Sequence, residues 1–153
     1  MRLRPTAALL IGALCLAQTA RPQDTSAPGN DYTGMYSFLR KGEFVQLNVE
    51  RGSSRVTGFV ARQSDGEKEV FIDHFFEKAD LRDQGIRFST REVHGIRFEF
   101  RGAISRGAAK TRNAEGYYQI KGTLIQYTSG ANQKVTTKER AVTLVSLPQE
   151  TCD

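Results

Sequence analysis

Eight short stretches of alternating character, each closed off by turn-forming residues, restrict this chain more than any other feature. They are Met35–Leu39, Glu43–Glu50, Arg55–Gln63, Glu69–Lys78, Gly85–Thr90, Val93–Ser105, Gly116–Thr128 and Val135–Leu147. A period of two puts successive side chains on opposite faces of a strand. Val45, Leu47 and Val49 alternate with Gln46, Asn48 and Glu50, and Ile86 and Phe88 with Arg87 and Ser89. His94, Ile96, Phe98 and Phe100 alternate with Gly95, Arg97, Glu99 and Arg101. Between the runs lie Arg40-Lys41-Gly42, Arg51-Gly52-Ser53-Ser54, Ser64-Asp65-Gly66, Leu81–Gln84 and Ser129–Gln133, all rich in turn formers. Arg106–Ala114 is the one longer connection, and no segment sustains a helical period. The pattern predicts an all-β domain.

Half-buried strands joined by short connections favour antiparallel pairing in chain order. Eight such strands close into a single up-and-down β-barrel, which removes exposed edges, with a two-sheet β-sandwich as the alternative. At eight strands the interior either fills with side chains or holds one small ligand. Glu69–Lys78 (Glu-Val-Phe-Ile-Asp-His-Phe-Phe-Glu-Lys) is apolar on both faces, which suits a middle strand covered from two sides.

A chain of 153 residues has room for one domain. Arg2 and Arg4 precede Ala7–Ala17, a run built only from Ala, Leu, Ile, Gly and Cys, and polarity returns at Gln18–Arg21. That is the layout of a secretory signal peptide over residues 1–20, and the run is too short to span a bilayer. Residues 21–31 (RPQDTSAPGND) read as a flexible tether, 32–148 as the barrel domain and 149–153 as a disordered tail. The expected product is periplasmic or secreted, with no stable membrane anchor. Removal of the leader takes two arginines and no acid, so the net charge falls from +5 to +3. The remaining excess is spread along the chain, unlike the clustered basic patch of a nucleic-acid binder. Cys152 is then the sole cysteine, so no internal disulfide forms, and the chain is expected to be a monomer or weak homo-oligomer with a covalent dimer open to it through Cys152.

The opening Gly34-Met35-Tyr36, the strand Glu43–Glu50 and the following Val56-Thr57-Gly58-Phe59 resemble the start of a calycin barrel of the lipocalin and avidin type. Tyr36 stands where those families place tryptophan, and the chain has no tryptophan, which argues against an avidin-like biotin site. A wider set of motifs resembles small exported bacterial β-proteins of unassigned role, notably from Acidobacteria. It comprises Gly34-x-Tyr36, Gly42-Glu43-x-Val45-Gln46-Leu47, Val56-Thr57-Gly58-Phe59-Val60, Asp73-His74-Phe75-Phe76, Val93-His94-Gly95 and Glu115-Gly116-Tyr117-Tyr118. That resemblance implies a fold class and a location, and no activity.

The two histidines are the natural candidates for chemistry. Pairing Phe76 with Phe88 and Phe88 with Ile96 keeps the apolar face continuous and lines up His74, Thr90 and His94 in one row. The histidines then stand two strand spacings apart, roughly 9–10 Å. No third ligand shares that face, whereas a protein metal site wants three or four, so neither a metal nor a cofactor is expected. No Gly-x-Ser-x-Gly elbow occurs, and Glu99 between Arg97 and Arg101 reads as solvated ion pairing, so no enzyme is expected either. Lys110 and Arg112 give the long loop the means to bind an anion, although an exposed mobile loop is the ordinary reading of such a segment. The expectation is non-catalytic binding of a small, mostly apolar ligand in the lumen or at its rim. Its lining would be Tyr36, Phe38, Ile72, His74, Phe76, Phe88, Thr90, His94, Phe98 and Tyr118. A structural or protein-interaction module with a filled barrel is the alternative.

Overall fold

The computed structural model describes residues 31–66, 70–132 and 134–149. The expected leader, most of the tether and Cys152 lie outside them. Eight strands follow one another: β1 (Gly34–Ser37), β2 (Phe44–Val49), β3 (Val56–Gln63), β4 (Phe71–Arg82), β5 (Gly85–Thr90), β6 (Ile96–Arg106), β7 (Tyr118–Ser129) and β8 (Val135–Val145). Each pairs antiparallel with its sequence neighbours in the order β1 to β8, and no helix occurs among the described residues. The sheet curls into a half-barrel until Tyr36 meets Ser146, just past β8, and the Leu147 amide donates to the Met35 carbonyl at 2.8 Å. The expected all-β, up-and-down architecture is what the chain adopts.

β4 makes the curl possible by changing partners along its length. Phe71–Phe75 pair with β3, whereas Phe76–Arg82 pair with β5 across a bulge between Phe76 and Lys78. A bulge bends a strand and increases its twist. Gly58 permits the bend. A Cβ there would lie 1.9 Å from the Gln46 carbonyl oxygen and 3.0 Å from the Phe76 ring, so only glycine lets that ring settle over β3. The same device recurs at the far end of the sheet, where Gly102 pairs with Gly122 and the Phe100 ring fills the space their side chains would take.

The concave face is dry. Tyr36, Leu47, Ile86, Phe98, Phe100, Ile104, Ile120, Leu124 and Leu144 are all shut away from solvent. Their rings interlock: Phe76 stacks on Phe88 at 4.5 Å and Phe88 on Phe100 at 5.2 Å, while Phe38 meets Phe98 edge-on at 5.5 Å. A buried carboxylate, Glu43, pins the first hairpin. It accepts from the amides of Arg40 (3.0 Å) and Gln63 (3.1 Å) and pairs with the Arg40 guanidinium at 2.9 Å.

Three expectations need correction. β4 is not covered from two sides, because Phe71 is 45% exposed and Phe75 54% exposed. The pairing of β4 with β5 is shifted: Phe76 faces Thr90 and, beyond the bulge, Phe88 faces Ala79. β6 starts at Ile96 rather than Val93, and Phe88 faces Phe100 rather than Ile96.

Candidate functional site

Those shifts dismantle the histidine row. His74 sits opposite Val60 on β3, with its ring edge-on to Phe98 at 5.1 Å and 1% of its surface exposed. His94 belongs to a two-residue turn between Val93 and Ile96, which bond to each other in both directions. His94 and Gly95 have φ of 50° and 72°, the left-handed pair that a type I′ hairpin turn requires. The turn throws the His94 side chain into solvent. Thr90 does point inward, but its hydroxyl accepts the Phe98 amide at 3.0 Å and completes the β5–β6 junction. Val-His-Gly-Ile carried the turn signal in its glycine, and histidine is among the few non-glycine residues enriched in that conformation.

Every other residue expected to line the lumen faces inward, with Ile72 and Phe76 partly and the rest fully buried. Tyr36, Phe38, Phe76, Phe88, Phe98 and Tyr118 pack into one cluster. Tyr36 donates to the Tyr32 carbonyl at 2.8 Å, and burial holds its hydroxyl far above the ordinary phenol range. Tyr118 lies edge-on to Tyr32 at 5.0 Å. His74 is the discordant member: its Nδ1 is buried and has no hydrogen-bond partner among the described residues. Burial pushes its pKa down, helped by the Arg62 guanidinium, while the nearby backbone of Arg91 and Ile96 pulls the other way. No hydrogen bond joins either histidine to a hydroxyl or carboxylate side chain among the described residues, and no group of three His, Cys, Asp or Glu side chains is placed to hold a metal there.

The convex side carries two distinct surfaces. Over β2, β3 and β4, Phe44, Phe59 and Phe75 form an aromatic ladder with centroid spacings of 5.9 and 5.4 Å, and exposed Phe71 lies on the same face of β4. Over β4 to β7 the surface is charged and hollowed by an open depression of about 480 Å³. There Arg87 lies directly opposite Arg101, near Lys78. Of the neighbouring carboxylates, Asp80 stands opposite Arg87 across β4–β5 and lies 3.5 Å from Arg82, while Glu99 binds Arg97 at 2.6 Å and accepts from Tyr127 at 3.0 Å. The bond from Arg97 holds the Glu99 carboxyl below its ordinary range, as expected for ion pairing on a wet face. The long loop offers no free cation at Arg112, which pairs with Asp31 at 3.4 Å and donates to the Thr33 carbonyl.

Comparison with protein-family models, with curated proteins and with solved structures finds no match.

Proposed function

We propose that the domain is an exported, non-catalytic interaction module whose barrel interior serves as scaffold and whose convex face meets a protein partner. The observation that carries this is the aromatic ladder Phe44–Phe59–Phe75, half-buried at Phe44 and Phe59 and left in water at Phe75, as is Phe71 on the same face of β4, on an otherwise well-packed fold. Scattered exposed apolar residues are ordinary, but a contiguous aromatic patch on a filled barrel marks a contact surface. A small apolar ligand in the lumen has less support, because the side chains expected to line it stack on each other. Export belongs to the same proposal and rests on the charged start and short apolar run of residues 1–20. The likeness to small exported bacterial β-proteins agrees with it.

The test places a photo-crosslinking amino acid at position 75 in the producing cell. A discrete protein adduct from that position, absent when the crosslinker stands at Thr123 on the charged side, is the expected result. Native purification that retains a stoichiometric small molecule, with no adduct from position 75, would return the lumen to first place.

A further inference from the structure

The Tyr36–Ser146 contact closes only one end of β8. β8 is eleven residues long and contains no proline, yet β1 turns away after Ser37. Two bonds show which way the backbone groups of β8 and its flanks point. The amides of Gly130 and Ser146 bond across to the carbonyls of Lys134 and Tyr118, so even-numbered positions face β7. The Val145 amide bonds to the Ser37 hydroxyl and Leu147 to Met35, so odd-numbered positions face the opening. By that alternation Thr137, Glu139 and Ala141 direct N–H and C=O groups outward, and they have no backbone partner among the described residues. All three are exposed.

A second copy is a poor occupant. Two antiparallel copies of one edge are related by a two-fold axis, which sets the central residue opposite itself. Centred on the middle of β8, that axis opposes Lys138 to Lys138, Glu139 to Glu139 or Arg140 to Arg140 of the other copy, and like charges directly opposite destabilise a pair. Such charges are how open edges avoid self-pairing. They do not repel a strand of the inverse pattern. Arg140, moreover, lacks an acceptor: its Nε is buried without a partner, and one Nη reaches only the Gln126 side-chain oxygen at 3.4 Å.

We infer that the open edge of β8 is a strand-addition site for an extended peptide segment carrying acid–base–acid at consecutive positions, opposite Lys138, Glu139 and Arg140. The backbone rungs at 137, 139 and 141 supply sequence-independent binding, and the three charges set register and choice of partner. The site is separate from the aromatic ladder, so either can fail without the other.

The probe is the capped peptide Val-Thr-Glu-Lys-Glu-Thr-Val, which presents the same pattern in either chain direction, with Val-Thr-Lys-Glu-Lys-Thr-Val as its charge-swapped twin. Amide exchange of the full protein is followed by NMR. Protection appearing at Thr137, Glu139 and Ala141, with the twin at least about tenfold weaker, is the expected result. Lys138→Glu/Arg140→Glu should invert that preference. Glu139→Pro should abolish binding with the fold intact, because the N–H it removes belongs to no ladder bond. Equal binding of the two peptides, absence of protection at millimolar peptide, or protection that depends on protein concentration without peptide each overturns the inference, the last by showing a second copy on the edge.

Discussion

His74→Phe isolates the cost of keeping an imidazole inside an apolar barrel. Phenylalanine retains the edge-on contact with Phe98 and removes both the orphaned Nδ1 and the titrating group. A buried unsatisfied polar atom costs about 1–3 kcal/mol, and exchanging one ring for another of similar size returns less than about 1.5 kcal/mol of strain. At pH 7.5 the variant should therefore match or exceed the parent by about 1 kcal/mol. The larger signal comes with acid. The unfolded chain protonates this imidazole around its ordinary 6.5, whereas the folded domain does so only at lower pH because of burial and Arg62. The contribution to stability is thus complete above 6.5 and is lost as pH falls from there toward the folded value. The slope can reach about 1.4 kcal/mol per pH unit, so the stabilities of parent and variant should diverge as the pH falls below 6.5. Urea denaturation of parent and variant at pH 7.5 and 5.0 measures it, since carboxylate effects common to both cancel in the difference. Identical pH dependence in the two proteins would refute a neutral, buried His74.

Gly122→Ala should cost about 1–3 kcal/mol, read from the urea midpoint, because the new Cβ falls 2.2 Å from the Arg101 carbonyl oxygen and 2.7 Å from the Phe100 ring. Its nearest obstacle is backbone, so trimming Phe100 to Leu should not rescue it. Glu43→Ala leaves the amides of Arg40 and Gln63 without acceptors and should cost about 2–4 kcal/mol, with Glu43→Gln losing less; a thermal midpoint unchanged in Glu43→Ala would show that water replaces the carboxylate. Arg101→Gln removes the like charge opposite Arg87, which keeps Asp80 opposite it on its other side, and should raise stability by about 0.2–1 kcal/mol at low salt, a gain that shrinks in concentrated salt.

The strand count and order were legible in the sequence because alternation and turn residues are local signals, and a meander needs nothing else. Val45 and Leu47, Ile86 and Phe88, and Phe98 and Phe100 fall inside as their spacing predicts. Register was not legible where one residue breaks the count. The bulge between Phe76 and Lys78 leaves no composition signature, yet it moves every pairing downstream of it. At Val93–Ile96 the apolar period ran straight through a turn whose only sign was Gly95, and that carried His94 from the expected site into solvent. Phe71 and Phe75 show the converse limit: hydrophobicity alone suggested cover on both faces, whereas only the inward residues of β4 have it. The open edge of β8 depends on where β1 stops, which is a tertiary fact.

The order of the sheet also bears on how the chain reaches it. Every ladder joins strands adjacent in sequence, so the sheet can grow one hairpin at a time from any nucleus, with little loop-closure entropy lost at each step. The Tyr36–Ser146 bridge is the exception, spanning nearly the whole domain, and it can form only after the rest has curled. Closure should therefore come late in folding and be first to open in native-state exchange, ahead of the β6–β7 ladder. A domain assembled in this way passes through half-formed sheets with exposed edges, and the charges on β8 guard that interval as well as the finished protein.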